Sequence, residues 1–273
     1  MQFDRICRDT PPGVSAIPAF FGHPGRGVPT PRKEGRIFSV HCFLLKICYN
    51  KTKVKKCGEN SMKIISDIRL YKSTELNTHT EIGNKEINIA VQRVVMKLRE
   101  YDFSLGEFDH LYLNFTICKP KGTFELIDKV DPYHPWYRYC DIGVTQSEYE
   151  NLTIQLVYEK ISLVLVNLFN IPEEVIQDAI TEAQKGSVMQ MFFKEKKSTK
   201  ATATIYLRLL DSGKYFPLLR VTDLDGQDIL CKDLPETIDL NIIGEIQLST
   251  KKVTIKPRKN AFTMNLKPIS FEL

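Results

Sequence analysis

The segment 131–141, DPYHPWYRYCD, gathers the side chains most able to do chemistry. It holds the chain's one tryptophan, three tyrosines, His134, Arg138, Cys140 and the carboxylates Asp131 and Asp141. One chemistry this composition permits is thiol-based hydrolysis. Cys140 would attack, with His134, His110 or His79 as base and Asp141 alongside. A thiol nucleophile needs a helix N-terminus or a neighbouring cation to ionise, and only Arg138, two positions away, is at hand. The other chemistry is recognition, because tryptophan, tyrosine and arginine are the side chains that anchor protein interfaces. If 136–144 is a strand, Trp136, Arg138, Cys140 and Ile142 face one way, and Tyr137, Tyr139 and Asp141 face the other. The surrounding window 101–149 contains 11 of the chain's 27 aromatic residues, which could equally fill a core.

Metal chemistry finds little support. His79, Asp109, His110, Asp131, His134 and Asp141 are the available ligands, yet no HxH or HxxxH spacing joins them. Asp109 and His110 are neighbours expected to point apart along a strand. The DLDGQD run at 223–228 places its glycine too early for a calcium loop and is expected to be a hairpin turn. No metal and no cofactor is expected. The seven cysteines form no CxxC pair and describe neither a disulfide framework nor a zinc site.

The elements that must position these residues can be read from the apolar periods. A first strand is expected at 63–71, carried by Ile64, Ile65, Ile68 and Leu70. Ile87, Val91, Val94, Leu98 and Tyr101 recur at steps of three and four, the stripe of an amphipathic helix. The 109–118 segment alternates, with Leu111, Leu113, Phe115 and Ile117 on one face and Tyr112, Asn114 and Thr116 on the other. Shorter strands are expected at 124–130 and 136–144. Thr145 and Glu148 fit a capping box that opens a helical region running to about Phe169. A further helix starts near Pro172 and stops at Gly186. From Val188 the period becomes two, with strands expected at 188–194, 201–210, 215–222, 227–231, 241–248, 252–257 and 267–272. The order predicts an α+β fold with a largely antiparallel sheet, three main helices and a C-terminal β-meander.

Charge and composition set the head apart from the rest. Residues 1–61 carry 11 Lys/Arg against 4 Asp/Glu and hold 6 of the 14 prolines, with no helix or strand period. They are expected to form a disordered head. An alternative is that translation begins at Met62, since the codons of Gly58-Glu59 can spell a purine-rich ribosome-binding sequence of bacterial type. Residues 62–273 would then form one α+β domain, with 62–186 and 187–273 as possible sub-lobes. This domain carries 27 Lys/Arg against 29 Asp/Glu, which disfavours nucleic acid, and within it residues 62–185 carry 13 against 19, which suits a basic protein partner.

No run reaches the roughly 18 apolar residues of a membrane span, and the first ten residues lack the apolar region of a secretory signal. A cytoplasmic location is expected. The expected function is a non-catalytic interaction protein, in general character resembling a bacterial immunity protein that covers and neutralises a toxin. Tyr133, His134, Trp136, Tyr137, Arg138, Tyr139 and Asp141 are the expected binding residues. The alternative is a hydrolase using His134, Cys140 and Asp141.

Overall fold

Each change of period in the sequence marks a change of element. The computed structural model describes residues 62–273 apart from Asn170 and Phe262, and the expectations for residues 1–61 lie outside the described residues. The first half contains β1 (Lys63–Ile64), β2 (Asp67–Ser73), β3 (Thr80–Glu81), α1 (Lys85–Glu100), β4 (Ser104–Gly106), β5 (His110–Thr116), β6 (Phe124–Leu126) and β7 (Tyr137–Gly143). Three helices follow: α2 (Gln146–Glu150), α3 (Ile154–Phe169) and α4 (Glu173–Ala183). The remainder is strands, β8 (Met191–Lys197), β9 (Ala201–Leu209), β10 (Tyr215–Asp223), β11 (Asp228–Asp233), β12 (Glu245–Leu248), β13 (Lys252–Lys256) and β14 (Ile269–Glu272), with 3-10 turns at Gly186–Val188 and Leu240–Ile242, where the strands expected from 188 and 241 start late.

The fold is α+β, and among the described residues eight of the ten strand pairings are antiparallel. β8 to β11 form the expected meander, and β12 to β14 a second, three-stranded one. The two parallel pairings lie at the centre. A five-stranded sheet runs β3-β2-β5-β7-β6, in which β2, β5 and β7 are parallel and the two edge strands antiparallel. Parallel neighbours need a crossover, and α1 supplies it between β2 and β5.

Local chemistry explains the boundaries. Asn84 Oδ1 accepts the Ile87 N–H at 3.1 Å and starts α1, whose stripe of Ile87, Val91, Val94 and Leu98 is buried. Asp102 turns left-handed at φ 56°, and the Phe103 N–H returns to the Leu98 carbonyl at 2.9 Å, ending the helix. The expected strand at 63–71 is broken. Ile65 N–H bonds to the Phe103 carbonyl and Ser66 N–H to that of Asp109, so β1 pairs with β4 and leaves the main sheet. The helical region 145–169 is also broken. The Thr145–Glu148 capping box forms in both directions, but α2 stops at Glu150. The Thr153 hydroxyl then accepts the Leu156 N–H at 3.2 Å and starts α3 afresh.

The core lies on one side of the central sheet. Ile68 and Leu70 of β2, Leu111, Leu113 and Phe115 of β5, and Cys140 and Ile142 of β7 are buried there. They belong to one hydrophobic cluster with Val91, Val94 and Leu98 of α1 and Val157, Ile161 and Leu165 of α3. The same cluster continues through Ile205 and Leu207 of β9 to Val253 of β13.

The turn before β6 packs directly on β7. Gly122 N–H bonds to the Gly143 carbonyl and Gly143 N–H to the Thr123 carbonyl, both at 2.9 Å. A Cβ on Gly143 would lie 1.9 Å from the Pro120 carbonyl oxygen, so only glycine fits this approach. Gly143→Ala should therefore cost about 1–3 kcal/mol by overpacking against backbone. Gly83→Ala, where nothing lies within 4 Å, should stay within about 0.5 kcal/mol of the parent. Urea denaturation of both variants checks this, and equal midpoints would contradict the close approach.

Candidate functional site

The face of the central sheet opposite the core has a fixed composition, because register places residues of β2, β5 and β7 side by side. Asp67, His110 and Tyr137 form one row, and Arg69, Tyr112 and Tyr139 the next. Tyr71, Asn114 and Asp141 follow, and then Ser73, Thr116 and Gly143. Along the strands the face thus passes from aromatic to small and polar.

The rings form a continuous array. Tyr112 sits at its centre and is buried, stacked on Tyr137 at 4.7 Å and 14°. Tyr139 meets Tyr71 and Tyr112 edge-on, both at 5.3 Å, and His79 stacks on the Tyr139 ring at 3.8 Å and 17°. Tyr137 meets Tyr139 edge-on at 5.6 Å. His134 extends the array from Tyr137 to Trp136, whose ring it meets edge-on at 4.9 Å. Pairs of these kinds contribute about 0.5–1.5 kcal/mol each beyond simple burial. The array emerges into solvent at Trp136, 38% exposed, and Tyr133 of the same 131–136 loop is 84% exposed.

Polar groups hold the array from both ends. Arg69 donates from Nε to Asp67 Oδ2 at 2.7 Å and lies 5.5 Å from the Tyr112 ring centre. Asp67 Oδ1 accepts from Gln92 of α1 at 2.6 Å. Asp131 organises the 131–136 loop, accepting the N–H groups of Tyr133 and His134, the His134 Nδ1 and the Tyr137 hydroxyl. The His134 side-chain bond, first, and the Tyr133 backbone bond hold the Asp131 carboxyl below its usual value. The Trp136 carbonyl then accepts both Asp109 and His110 N–H at 3.0 Å, tying this loop to the start of β5. At the other end, Asn114 Nδ2 donates to Ser73 Oγ at 3.0 Å and Asp141 Oδ1 at 2.8 Å. Lys119 bridges Asp141 and Glu125. Asn114 Oδ1 is buried and makes no hydrogen bond to a described residue.

Most of the expected binding residues come together here. Tyr137, Tyr139 and Asp141 line the face, and Tyr133, His134 and Trp136 form its exposed end. Trp136 precedes β7, so strand alternation does not send it to the core side. Arg138 departs from the group. It leaves β7 on the opposite side, lies 5.3 Å over the Phe108 ring, and donates to the carbonyls of Pro135 and Tyr137. Sequence reading missed Arg69, Tyr71 and Asn114, and did not connect Tyr112 or His79 to the tyrosines of β7. The alternation of β5 already set Tyr112 and Asn114 apart from the core residues. What it lacked was the identity of the neighbouring strands.

Cys140 occupies the core side of β7, fully buried, and burial foremost, with the Asp141 charge, pushes its thiol up to about 12. His134 and Asp141 lie with the opposite face, so the three side chains proposed for thiol hydrolysis are divided by the sheet. Burial likewise raises the hydroxyls of Tyr112, Tyr137 and Tyr139 above their ordinary value, keeping them neutral donors. Asp109 and His110 do not point apart as expected. β5 begins only at His110, and the His110 Nδ1 lies 2.6 Å from Asp109 Oδ1. Among the described residues, no group of three or more His, Cys, Asp or Glu side chains is arranged to hold a metal ion. What remains on the face is a set of ring edges, neutral hydroxyls and carboxylates, groups suited to contact with another molecule.

Compared with known proteins, the chain matches no family model, no curated protein sequence and no solved structure.

His79 reports on the integrity of this face. Burial against Tyr139 lowers its pKa from the ordinary 6.5, with the Asp141 charge opposing. The unfolded chain then takes up this proton at higher pH than the folded one. His79 therefore contributes fully above pH 6.5, and that contribution is lost as pH falls through 6.5 towards the folded value. An NMR titration should place His79 below 6.5, and His79→Phe should reduce the loss of stability on acidification. A His79 titrating above the free value would contradict the stacked, partly buried ring.

Proposed function

We propose that this chain is a non-catalytic interaction protein that holds a protein partner on the tyrosine face of its central sheet. The observation that carries the reading is the unbroken ring array from His79 to Trp136, supported from behind by the core and ending in solvent. Rigid aromatic side chains make good anchors because few of their torsions must be frozen on binding. The carboxylates of Asp131 and Asp141 and the acidic balance of residues 62–185 suit a partner surface rich in lysine or arginine, which also favours tyrosine ring faces.

The form of this function that we favour is neutralisation. A bacterial immunity protein acting in the cytoplasm works by covering its toxin's working surface, and so needs a firm docking face and no reactive group of its own. Neutral tyrosine hydroxyls and a sealed thiol are consistent with that requirement. No helix among the described residues is long and apolar enough to cross a membrane, which is compatible with such a role.

The test uses photocrosslinking followed by affinity. A photoreactive phenylalanine analogue at position 133 should trap one partner in the cells that make the protein, and the same analogue at Leu163 on α3 should not. With that partner purified, Tyr133→Ala combined with Trp136→Ala should weaken binding about a hundredfold or more, while the urea midpoint falls by no more than loss of the His134–Trp136 ring pair accounts for. Equal trapping from both positions, or undiminished affinity, would overturn the reading.

A further inference from the structure

A second feature, independent of the tyrosine face, lies among the helices. A groove of about 710 Å³ is bounded by α1, α3, the end of α4 and the turn between β9 and β10. That size is typical of small-molecule sites. Its walls are apolar at Ile89, Ala90 and Ala183. Two side chains that are more than nine-tenths buried line it as well, Arg93 at 6% and Tyr158 at 4% exposure.

Both have donors without protein acceptors. Arg93 donates from Nε and Nη2 to the Leu209 carbonyl, at 3.1 and 2.7 Å, and from Nη2 to Asp211 at 2.6 Å. Its Nη1 makes no hydrogen bond to a described residue, and lies beside Gly186, where even an added Cβ would keep 3.9 Å away. The Tyr158 hydroxyl likewise has no partner among the described residues. Burial raises its pKa while the Arg93 charge lowers it, so the hydroxyl lies within the field of the guanidinium. Two helices also begin at the rim. Lys85 and Glu86 open α1, and Ile154 and Gln155 open α3. Asn84 and Thr153 cap one N–H each, at Ile87 and Leu156, so the earlier first-turn N–H groups have no intrahelical acceptor. Donors and positive helix ends therefore converge on one apolar groove.

The charges limit what fits. Arg93 and Lys85 are balanced by Asp211 and Glu86, all lining the groove, so the positive potential that remains is that of the two helix N-termini, about half a charge each, which one negative charge would match. We propose that this groove binds a small organic monoanion, its carboxylate between Arg93 Nη1 and the Tyr158 hydroxyl and its apolar body against Ile89 and Ala183. Arg93 fixes the β9–β10 turn and also presents a donor to the ligand. Its burial beside Ile89 and Ala90 is explained by both roles.

Phenylacetate and its uncharged isostere phenylacetamide, titrated into the full chain and followed by amide chemical shifts, test the site. Phenylacetate should bind saturably and move the amides of Lys85, Glu86, Ile154 and Gln155, while phenylacetamide should not. Tyr158→Phe, which removes only a hydroxyl, should weaken phenylacetate about tenfold with the melting temperature unchanged. Arg93→Lys should abolish binding, but its effect on folding makes Tyr158→Phe the deciding variant. Absence of saturable phenylacetate binding, equal binding of the amide, or full affinity in Tyr158→Phe would overturn the proposal. Binding of inorganic phosphate as tight as that of phenylacetate would overturn the single-charge assignment.

Discussion

The register of three parallel strands governs everything on the tyrosine face. Side chains alternate along a strand, so whichever residues α1 and α3 seal on one side fix the identity of those on the other. In β7 the buried pair is Cys140 and Ile142, which makes Tyr139 and Asp141 the face residues. A slip of one residue would drive Tyr139 and Asp141 into the core and bring the thiol out. The hydrophobic core thus specifies the tyrosine face indirectly, by excluding the alternative. Gly143 serves the same end, since the backbone crossing it locks the loop before β6 onto the last residue of β7.

This arrangement also keeps the thiol apart from the tyrosine face. A buried thiol raised to about 12 cannot act as a nucleophile near neutral pH, and the sheet stands between it and the imidazole of His134. The tyrosines are shifted in the direction that keeps them protonated, so their hydroxyls donate, as that of Tyr137 does to Asp131, without becoming bases. Their rings are held by one another, by Arg69 over Tyr112, and by the Asp131 turn beneath Tyr137. A surface ordered before contact loses less entropy on binding than one that must be assembled.

Much of the fold could be read directly from periodicity, and the reasons for the exceptions are physical. The stripe from Ile87 to Leu98, the alternation from Leu111 to Phe115 and the hairpins of the second half were legible because each depends on neighbours in sequence. The strand order was not. Asn114 meets Ser73 across 41 residues and Asp141 across 27, and no local pattern announces such pairings. The 131–141 segment was conspicuous by composition, yet its partners Tyr71 and His79 come from β2 and the loop after it. The break at Ile65 escaped notice because Ile64, Ile65 and Ile68 run through it, and the one at 151–153 because Asn151 and Thr153 also suit polar positions inside one helix. Arg93 lies off the Ile87–Leu98 stripe, so periodicity gave no sign that it is buried against the Leu209 carbonyl and Asp211.

The most direct measurement is hydroxyl-radical footprinting of the protein alone and in complex with its crosslinked partner. We expect Tyr133, Trp136, Tyr137 and Tyr139 to be shielded in the complex, while Phe192, 39% exposed on the other sheet, reacts equally in both states. Shielding of Phe192 with unchanged reactivity at Tyr133 and Trp136 would contradict the assignment of the tyrosine face as the docking surface.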